Sequence, residues 1–250
     1  MSWVASQVSR SFDRGAGRYQ QLALAQQEMG LLLWNKRPPT AEALLDLGSG
    51  PGHWTARLAK DYPEARVAGL DLSAAMIRQA KTRYPALNWI RADAANLPLA
   101  SASLDLIFSN LAIQWCPQTK ALLAGIYRIL KTEGRALITT LLPGSLDEIH
   151  QAWEQAGASS RVLAFQSQAN YQQAAVTAGF RSIQLEASRQ VFYYPTSRDL
   201  LQSVSGIGAS GGAGQLTKTQ YRRIHQLLDS RRTSQGLPLT YQLLVMELIK

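Results

Sequence analysis

A glycine-rich turn after a short apolar run is the part of the chain best suited to hold a ligand. Residues 43–47 are apolar except for Asp46, and they lead directly into Gly48-Ser49-Gly50-Pro51-Gly52. Glycines allow the backbone to approach a bound molecule where a Cβ would collide with it. A turn of this kind after the first strand of a doubly wound sheet lies where that fold binds cofactors.

The spacing of these glycines separates two classes of cofactor. A dinucleotide-binding turn follows the pattern G-x-G-x-x-G, which brings the N-terminus of a helix against a pyrophosphate. The third glycine of that pattern would be residue 53, which is His53. The turn instead reads G-x-G-x-G, so a nicotinamide-dependent dehydrogenase is the disfavoured alternative.

Polar residues recur at the ends of the predicted strands that follow. Asp71, Asp93 and Asn110 each come where one of these strands ends. Carboxyl ends of parallel strands meet at one edge of a sheet, so we expect the three side chains to lie around the glycine turn. Together with the glycine turn itself, these residues make four elements in order along the chain, which argues against a glycine turn that arose by chance.

Apolar patterning predicts strands that alternate with helices, the arrangement that positions these residues. We expect strands at 43–47, 66–70, 88–91, 104–109, 135–142, 183–194 and 239–249. This alternation favours right-handed βαβ units, and hence an α/β fold with a doubly wound, mostly parallel, seven-stranded sheet. Lys131–Gly134 is predicted to be a turn that stops a helix over 118–130.

Composition narrows the class of protein further. The 250 residues carry a net charge of +9, an excess that attracts anionic partners. The single cysteine, Cys116, excludes an intramolecular disulfide. No apolar run approaches the ~20 residues that span a bilayer, and the N-terminus lacks the apolar core of a signal peptide. We therefore expect a cytoplasmic protein without a membrane partner. The three histidines lack metal-ligand spacing, so no metal is expected.

The glycine turn resembles motif I of the class I S-adenosylmethionine-dependent methyltransferases, in which an acid precedes three glycines at alternate positions. This resemblance implies a Rossmann-like fold and S-adenosylmethionine as the cofactor. By position, the turn would contact the amino-acid end and the sulfonium, Asp71 the ribose, and Asp93 with Ala94 the adenine. The implied cofactor-binding residues are Asp46, Gly48, Ser49, Gly50, Asp71, Leu72, Met76, Asp93, Ala94, Asn110 and Leu111.

Segments outside the cofactor core resemble the malonyl-[acyl-carrier protein] O-methyltransferases of biotin synthesis. They are residues 109–116 (SNLAIQWC), 144–153 (GSLDEIHQAW), 206–209 (GIGA) and 238–241 (PLTY), and residues 11–19 (SFDRGAGRY) are similar to that family's entry motif. The resemblance covers nearly the whole chain. The departures are Ser49, where a cysteine is frequent, and Gly15 and Gly17, which replace alanines.

The resemblance implies a single methyltransferase domain over residues 1–250. We expect an N-terminal helical arm (1–40), a cofactor-binding core (41–142), an inserted helical cap or lid (143–182 and 195–237) and closing strands (183–194 and 239–249).

The reaction of that family transfers a methyl group from S-adenosylmethionine to the free carboxylate of malonyl-acyl-carrier protein. A carboxylate is already ionised at neutral pH, so no general base is expected and orientation should dominate. Tyr19 and His150 are the candidates for orienting the carboxylate; a packing role for Tyr19 and a structural or exposed one for His150 are the alternatives. Gln114 and Trp115 are expected to shape the pocket wall, although Trp115 also fits a plain core position.

A basic helix predicted over 217–230 is the candidate docking surface for an acidic acyl-carrier protein. Lys218 and Arg222 lie at i and i+4, on one face, and Arg223 follows. A solvated basic face is the alternative. For the whole chain, the remaining alternatives are another small-molecule carboxyl or C-methyltransferase of the same fold, or a nucleic-acid-binding protein. The chain lacks a basic run with interleaved aromatics, which disfavours the last.

Overall fold

The computed structural model describes residues 24–158, 163–205 and 216–250. In chain order these residues form α1 (Leu24–Trp34), β1 (Ala43–Leu47), α2 (His53–Asp61), β2 (Arg66–Asp71), α3 (Ala74–Arg83), β3 (Asn88–Arg91), β4 (Leu104–Asn110), α4 (Thr119–Ile129), β5 (Leu130–Leu141), α5 (Asp147–Gln155), α6 (Gln168–Ala178), β6 (Ser182–Tyr194), α7 (Ser197–Ser205), α8 (Lys218–Asp229) and β7 (Leu237–Ile249). A short 3₁₀ helix, Ile113–Trp115, lies between β4 and α4.

The described strands form one seven-stranded sheet in the order β3-β2-β1-β4-β5-β7-β6. Strands β1 to β5 are parallel, and β7 runs antiparallel to both of its neighbours. The chain builds outward from β1 to β3 and then returns to the other side of β1 with β4. This confirms the predicted doubly wound, mostly parallel sheet, and it places the topological switch point between β1 and β4.

Both faces of the sheet are covered, which explains why the central strands are continuous apolar runs. All five residues of β1 are buried. Leu44 packs into a core with the helices α1 and α2, whereas Leu45 packs into a second core with α4 and α6. The glycine turn therefore emerges from a strand that is fixed on both sides.

The main difference from the sequence prediction is at the start of β5. The pattern of Lys131–Gly134 predicts a turn, but these residues belong to a strand that begins at Leu130. The register of β4 against β5 shifts between Leu104 and Leu106, and Glu133 adopts φ 65°. The glycine and its left-handed neighbour thus make a bulge within the strand, a structure that shares its residue preferences with a turn.

Two helices lie between the paired strands β6 and β7. Leu200 and Val204 of α7 and Ile224 and Leu228 of α8 are buried in the same core as residues of α5. Thr217 begins α8 with a capping box to Gln220. This insertion is therefore packed on the body of the molecule. Among the described helices, none combines the length and apolar character that crossing a membrane requires.

Candidate active site

A cavity of about 310 Å³ opens at the carboxyl ends of β1, β2 and β4, at the switch point of the sheet. It brings together ten of the residues that the sequence predicted for the site: Gly48, Gly50, Asp71, Leu72, Met76, Asp93, Ala94, Asn110, Leu111 and Trp115. Nine further residues of the described ranges also line it: Leu47, Leu70, Ala92, Ala95, Ala112, Ile113, Cys116, Pro117 and Gln118.

The glycine turn has a shape that other residues would not tolerate. Gly48, Gly50 and Gly52 have φ values of 79°, 53° and 92°. A Cβ on Gly48 would lie 2.1 Å from the Cβ of Ala112. The amides of Gly48 and Ser49 donate to the carbonyl oxygen of Leu70, at 2.7 and 2.9 Å. These bonds hold the turn against the end of β2.

Asp71 connects the glycine turn to the start of α3. Its Oδ2 accepts the amide of Gly50 at 2.8 Å, and its Oδ1 accepts the amide of Ser73 at 2.7 Å. The hydroxyl of Ser73, in turn, accepts the amide of Met76 as the N-cap of α3. Asp71 also lines the cavity, where a carboxylate can accept hydrogen bonds from the hydroxyls of a ribose.

Asp46 lies beneath the turn and is not part of the cavity wall. It is 2% exposed, and its Oδ2 accepts the hydroxyl of Thr55 at 2.6 Å. Burial is the main cause that raises its pKa to about 7, and the nearby charge of Asp71 raises it further. Asp46 was expected to contact the cofactor, but its carboxyl group instead accepts a hydrogen bond that links β1 to α2 below the turn.

The opposite wall of the cavity is largely apolar. Leu72 and Met76 come from the start of α3, and Ile113 comes from the 3₁₀ helix. Asp93 stabilises the loop after β3 by accepting the amide of Ala95 at 2.9 Å. An apolar slot with a carboxylate at its edge suits a flat aromatic base with an exocyclic amino group.

Asn110 and Leu111 form the floor of the cavity. The Asn110 amide is used within the protein: Nδ2 donates to the carbonyl oxygen of Gln26 at 2.8 Å, and Oδ1 accepts the hydroxyl of Thr139 at 2.7 Å. Leu111 adopts φ 51°, which is uncommon for a branched side chain. Its backbone amide donates hydrogen bonds to the carbonyl and hydroxyl oxygens of Thr139, which fix this conformation. Asn110 therefore sets the shape of the floor.

Cys116 lines the cavity but is not a nucleophile. Burial raises the pKa of its thiol to about 12, and the charge of Asp93 raises it further. Gln114, two residues earlier, lies outside the cavity wall and donates to the carbonyl oxygen of Leu111 at 2.8 Å. Its predicted place in the wall is thus taken by Trp115 and Cys116.

The candidates for substrate binding lie elsewhere. Tyr19 and residues 206–209 fall outside the described residues. His150 is on α5, away from the cavity wall, and its Nε2 lies 3.4 Å from Oε1 of Glu154. Lys218, Arg222 and Arg223 are exposed on α8. The roles of Tyr19, His150 and the three basic residues stay predictions.

The electrostatics of the cavity wall favour a cationic ligand. Among the described residues that line it, Asp71 and Asp93 are acidic and no side chain is basic. A pyrophosphate would meet two carboxylates here, whereas a sulfonium would be attracted to them. Within the described ranges, no three His, Cys, Asp or Glu side chains cluster as a metal site requires, and the expected absence of a metal stays a prediction.

The sheet, the glycine turn and the acid at the end of β2 define a class I S-adenosylmethionine-dependent methyltransferase. Solved structures share the fold: the YcgJ protein of Bacillus subtilis has a TM-score of 0.64 at 17% identity, over 90% of this chain and 98% of that one. Phosphoethanolamine N-methyltransferase 2 of Haemonchus contortus, solved with S-adenosyl-L-methionine, has a TM-score of 0.64 at 21% identity, over 95% of this chain and 57% of that one.

Sequence comparison is more specific than the fold. The model of a methyltransferase domain matches residues 44–134. The malonyl-[acyl-carrier protein] O-methyltransferases of Hahella chejuensis and Herminiimonas arsenicoxydans are 35% and 36% identical, over 94% and 95% of this chain and 87% and 93% of those proteins. The biotin biosynthesis bifunctional protein BioHC of Cellvibrio japonicus is 36% identical over 97% of this chain, which spans half of that protein. The chain belongs to the malonyl-[acyl-carrier protein] O-methyltransferase family.

The residues present fit S-adenosylmethionine as the cofactor. Gly48 lines the cavity with backbone alone, and the hydroxyl of Ser49 in the turn is buried without a hydrogen-bond partner among the described residues. The apolar slot, Asp71 and the negative wall suit the adenine, the ribose and the sulfonium respectively.

Sequence reasoning missed two kinds of residue. Small and apolar wall residues such as Ala92 and Ala112 carry no chemical signal of their own. Gln26 was also missed; it is a buried polar residue of α1 whose carbonyl oxygen accepts the side-chain amide of Asn110 on the cavity floor. A polar side chain on an apolar helix face was the signal that would have identified it.

Proposed function

We propose that this chain transfers a methyl group from S-adenosylmethionine to the free carboxylate of malonyl-[acyl-carrier protein], the step that prepares the malonyl unit for biotin synthesis. The observation that carries the proposal is the extent of the similarity. Relatives with this name match 94–96% of the chain at 30–36% identity, well beyond the cofactor core at 44–134.

The described residues support a reaction that needs orientation more than acid-base chemistry. Bound S-adenosylmethionine supplies an electrophilic methyl group on a sulfonium. A malonyl carboxylate is ionised at neutral pH, so no side chain has to remove a proton from it. Cys116 is held neutral by its raised pKa and does not compete as a nucleophile. The apolar walls exclude water, which favours a reaction between opposite charges.

Tyr19 and His150 remain our proposals for residues that orient the malonyl carboxylate. A tyrosine hydroxyl or an imidazole can donate a hydrogen bond to a carboxylate without the full charge of an arginine, which would lower its nucleophilicity. Loss of such a donor raises KM for the malonyl substrate and lowers kcat, while the affinity for S-adenosylhomocysteine stays unchanged. Steady-state kinetics of Tyr19→Phe and His150→Ala measure this.

The basic face of α8 is the proposed docking surface for an acidic acyl-carrier protein. Lys218, Arg222 and Arg223 are exposed, and none of them pairs with an acidic group within the described part of the chain. Exposed charges accelerate association and are screened by salt. This partner fits a cytoplasmic protein that uses neither nucleic acid nor membrane.

Charge reversal tests the docking surface. Arg222→Glu with Arg223→Glu should raise KM for malonyl-acyl-carrier protein about tenfold at low salt and much less at high salt. Arg83→Glu, on the exposed side of α3, is the matched control and should change little. An unchanged KM in the double variant at low salt would show that docking occurs elsewhere.

Growth without biotin tests the proposed function as a whole. In a strain that lacks the ester-forming step, this chain should restore growth, and the chain with Gly48→Ala should not. Failure of the unaltered chain to restore growth, while the purified protein methylates a different acid, would favour another carboxyl methyltransferase of the same fold.

A further inference from the structure

Within the described part of the chain, the side-chain amide of Gln26 is buried without a hydrogen bond. The side chain is on α1 and the residue is 4% exposed. Among the residues that the structure describes, neither Nε2 nor Oε1 has a partner. Buried amides are nearly always hydrogen-bonded, and an orphan of this kind commonly marks a ligand or water that the site normally holds. The described residues therefore leave both polar atoms of the Gln26 side chain available to a ligand.

The position of α1 places the backbone of Gln26 next to the floor of the cofactor cavity. The carbonyl oxygen of Gln26 accepts the side-chain amide of Asn110, which lines the cavity floor. One turn later, a Cβ on Gly30 would lie 2.2 Å from the ring of Trp54 at the start of α2. The chain after α1 meets the end of α2 through the ion pair of Arg37 with Asp61. The two helices thus run side by side, and Gln26 lies level with the glycine turn that precedes α2.

A second buried group near this cavity also lacks a partner in the described part of the chain. The hydroxyl of Ser49 lies within the glycine turn, the residue is 7% exposed, and the hydroxyl makes no hydrogen bond within the described residues. Together the two side chains offer three N–H or O–H donors and the acceptor oxygens of an amide and a hydroxyl. This set is neutral and matches a group that carries both a carboxylate and an ammonium.

We propose that Gln26, together with Ser49, binds the amino-acid end of S-adenosylmethionine. Nε2 of Gln26 and the hydroxyl of Ser49 donate to its carboxylate, and Oε1 of Gln26 accepts from its ammonium. The contact requires rotation of the Gln26 side chain toward the cavity between staggered rotamers. A zwitterion has no net charge, which explains why the described wall residues provide no lysine or arginine for the carboxylate.

Other residues are candidates for binding the ribose and the adenine of the cofactor, so the amino-acid end is the part left for Gln26. Asp71 suits the ribose, and the slot with Leu72, Met76 and Ile113 suits the adenine. The proposal rests on the cofactor assignment and is independent of the malonyl substrate. It makes Gln26 a residue that fixes the donor in place from a helix outside the glycine motif.

Two ligands that differ only at this end test the proposal. S-adenosylhomocysteine has the amino-acid group, whereas methylthioadenosine lacks it. By calorimetry, Gln26→Leu should weaken the binding of S-adenosylhomocysteine about tenfold or more and leave that of methylthioadenosine within about twofold. Gln26→Glu, which brings a negative charge to the carboxylate, should weaken S-adenosylhomocysteine further. Gln27→Leu, the neighbouring and partly exposed residue, is the matched control and should change neither.

Thermal unfolding separates binding from a structural role. Because the amide of Gln26 has no partner among the described residues, Gln26→Leu should keep or raise the Tm. The proposal is overturned if both ligands lose affinity equally, or if neither does. Either result would leave the proposed function standing, since that depends on methyl transfer to the malonyl substrate and not on which side chain holds the amino-acid end.

Discussion

A hydrogen bond of 2.8 Å from the amide of Gly50 to Oδ2 of Asp71 joins the glycine turn after β1 to the end of β2. The other oxygen of Asp71 accepts the amide of Ser73 at the start of α3. One carboxylate therefore fixes two loops on the cavity wall relative to each other. We propose that the same carboxylate also accepts the ribose hydroxyls of the cofactor.

Loss of the Asp71 carboxylate should weaken cofactor binding strongly. Asp71→Ala removes an ionised acceptor from two backbone amides and from the ribose, and hydrogen bonds to charged groups contribute about 1.5–3 kcal/mol each. We expect S-adenosylhomocysteine to bind about 10–100 times more weakly by calorimetry. Asp105→Asn is the control, because Asp105 also accepts two backbone amides but lies away from the cavity wall. Equal losses in the two variants would contradict the assignment.

Substitution of Gly48 should abolish cofactor binding. Gly48→Ala places a methyl group 2.1 Å from the Cβ of Ala112 and forces a non-glycine residue to φ 79°. Gly157→Ala separates the two effects, since Gly157 has φ 66° but no atom within 4 Å of the added Cβ. We expect Gly157→Ala to lose about 1 kcal/mol of stability and to keep its affinity for the cofactor. If Gly48→Ala bound S-adenosylhomocysteine normally, the turn would not be the cofactor site.

The thiol of Cys116 should react slowly with alkylating reagents. Its pKa of about 12 leaves about one thiol in ten thousand ionised at pH 8, against about a quarter for an ordinary cysteine. Iodoacetamide should therefore modify the native protein about a thousandfold more slowly than the urea-unfolded protein. Saturation with S-adenosylhomocysteine should slow the native rate further, because Cys116 lines the cavity. A native rate equal to the unfolded one would show that the thiol is neither buried nor protected.

The stability of the protein should depend on pH through Asp46. Its pKa is raised from 3.8 to about 7 in the folded state, so the folded protein binds more protons than the unfolded chain between these values. The free energy of unfolding contributed by this group is therefore retained at low pH and lost as the pH rises to about 7. Between pH 5 and pH 8 the wild type should lose about 2–3 kcal/mol more than Asp46→Asn.

Urea unfolding of both proteins at the two pH values measures this difference. The Asp46→Asn variant has no ionisable group at this position, so the substitution removes the contribution while the new amide oxygen can still accept from Thr55. Parallel pH profiles for the two proteins would mean that Asp46 is ionised without cost in the folded state.

The order of elements was predictable because each strand carries its own local signal. Apolar patterning indicated all seven strands. The bulge at Glu133 was not predictable, because Gly134 suits a turn and a strand irregularity equally well. Only the pairing of β4 with β5 decides between them.

The parts of the site that depend on tertiary packing could not be predicted from the sequence. The position of Asp46 in the motif predicted a contact with the cofactor, but its burial against Thr55 is set by the approach of α2. Gln26 is separated from Asn110 by 84 residues, and no local pattern brings them together. Sequence identified which residues surround the glycine turn, whereas packing determines which of them reach the cavity.

Methyl transfer to malonyl-acyl-carrier protein is the most direct test of the proposed function. Purified protein should be incubated with S-adenosylmethionine and either malonyl- or acetyl-acyl-carrier protein, and the intact carriers should then be compared by mass spectrometry. We predict the gain of one methyl group on the malonyl carrier alone. No gain on the malonyl carrier, or an equal gain on the acetyl carrier, would contradict the account.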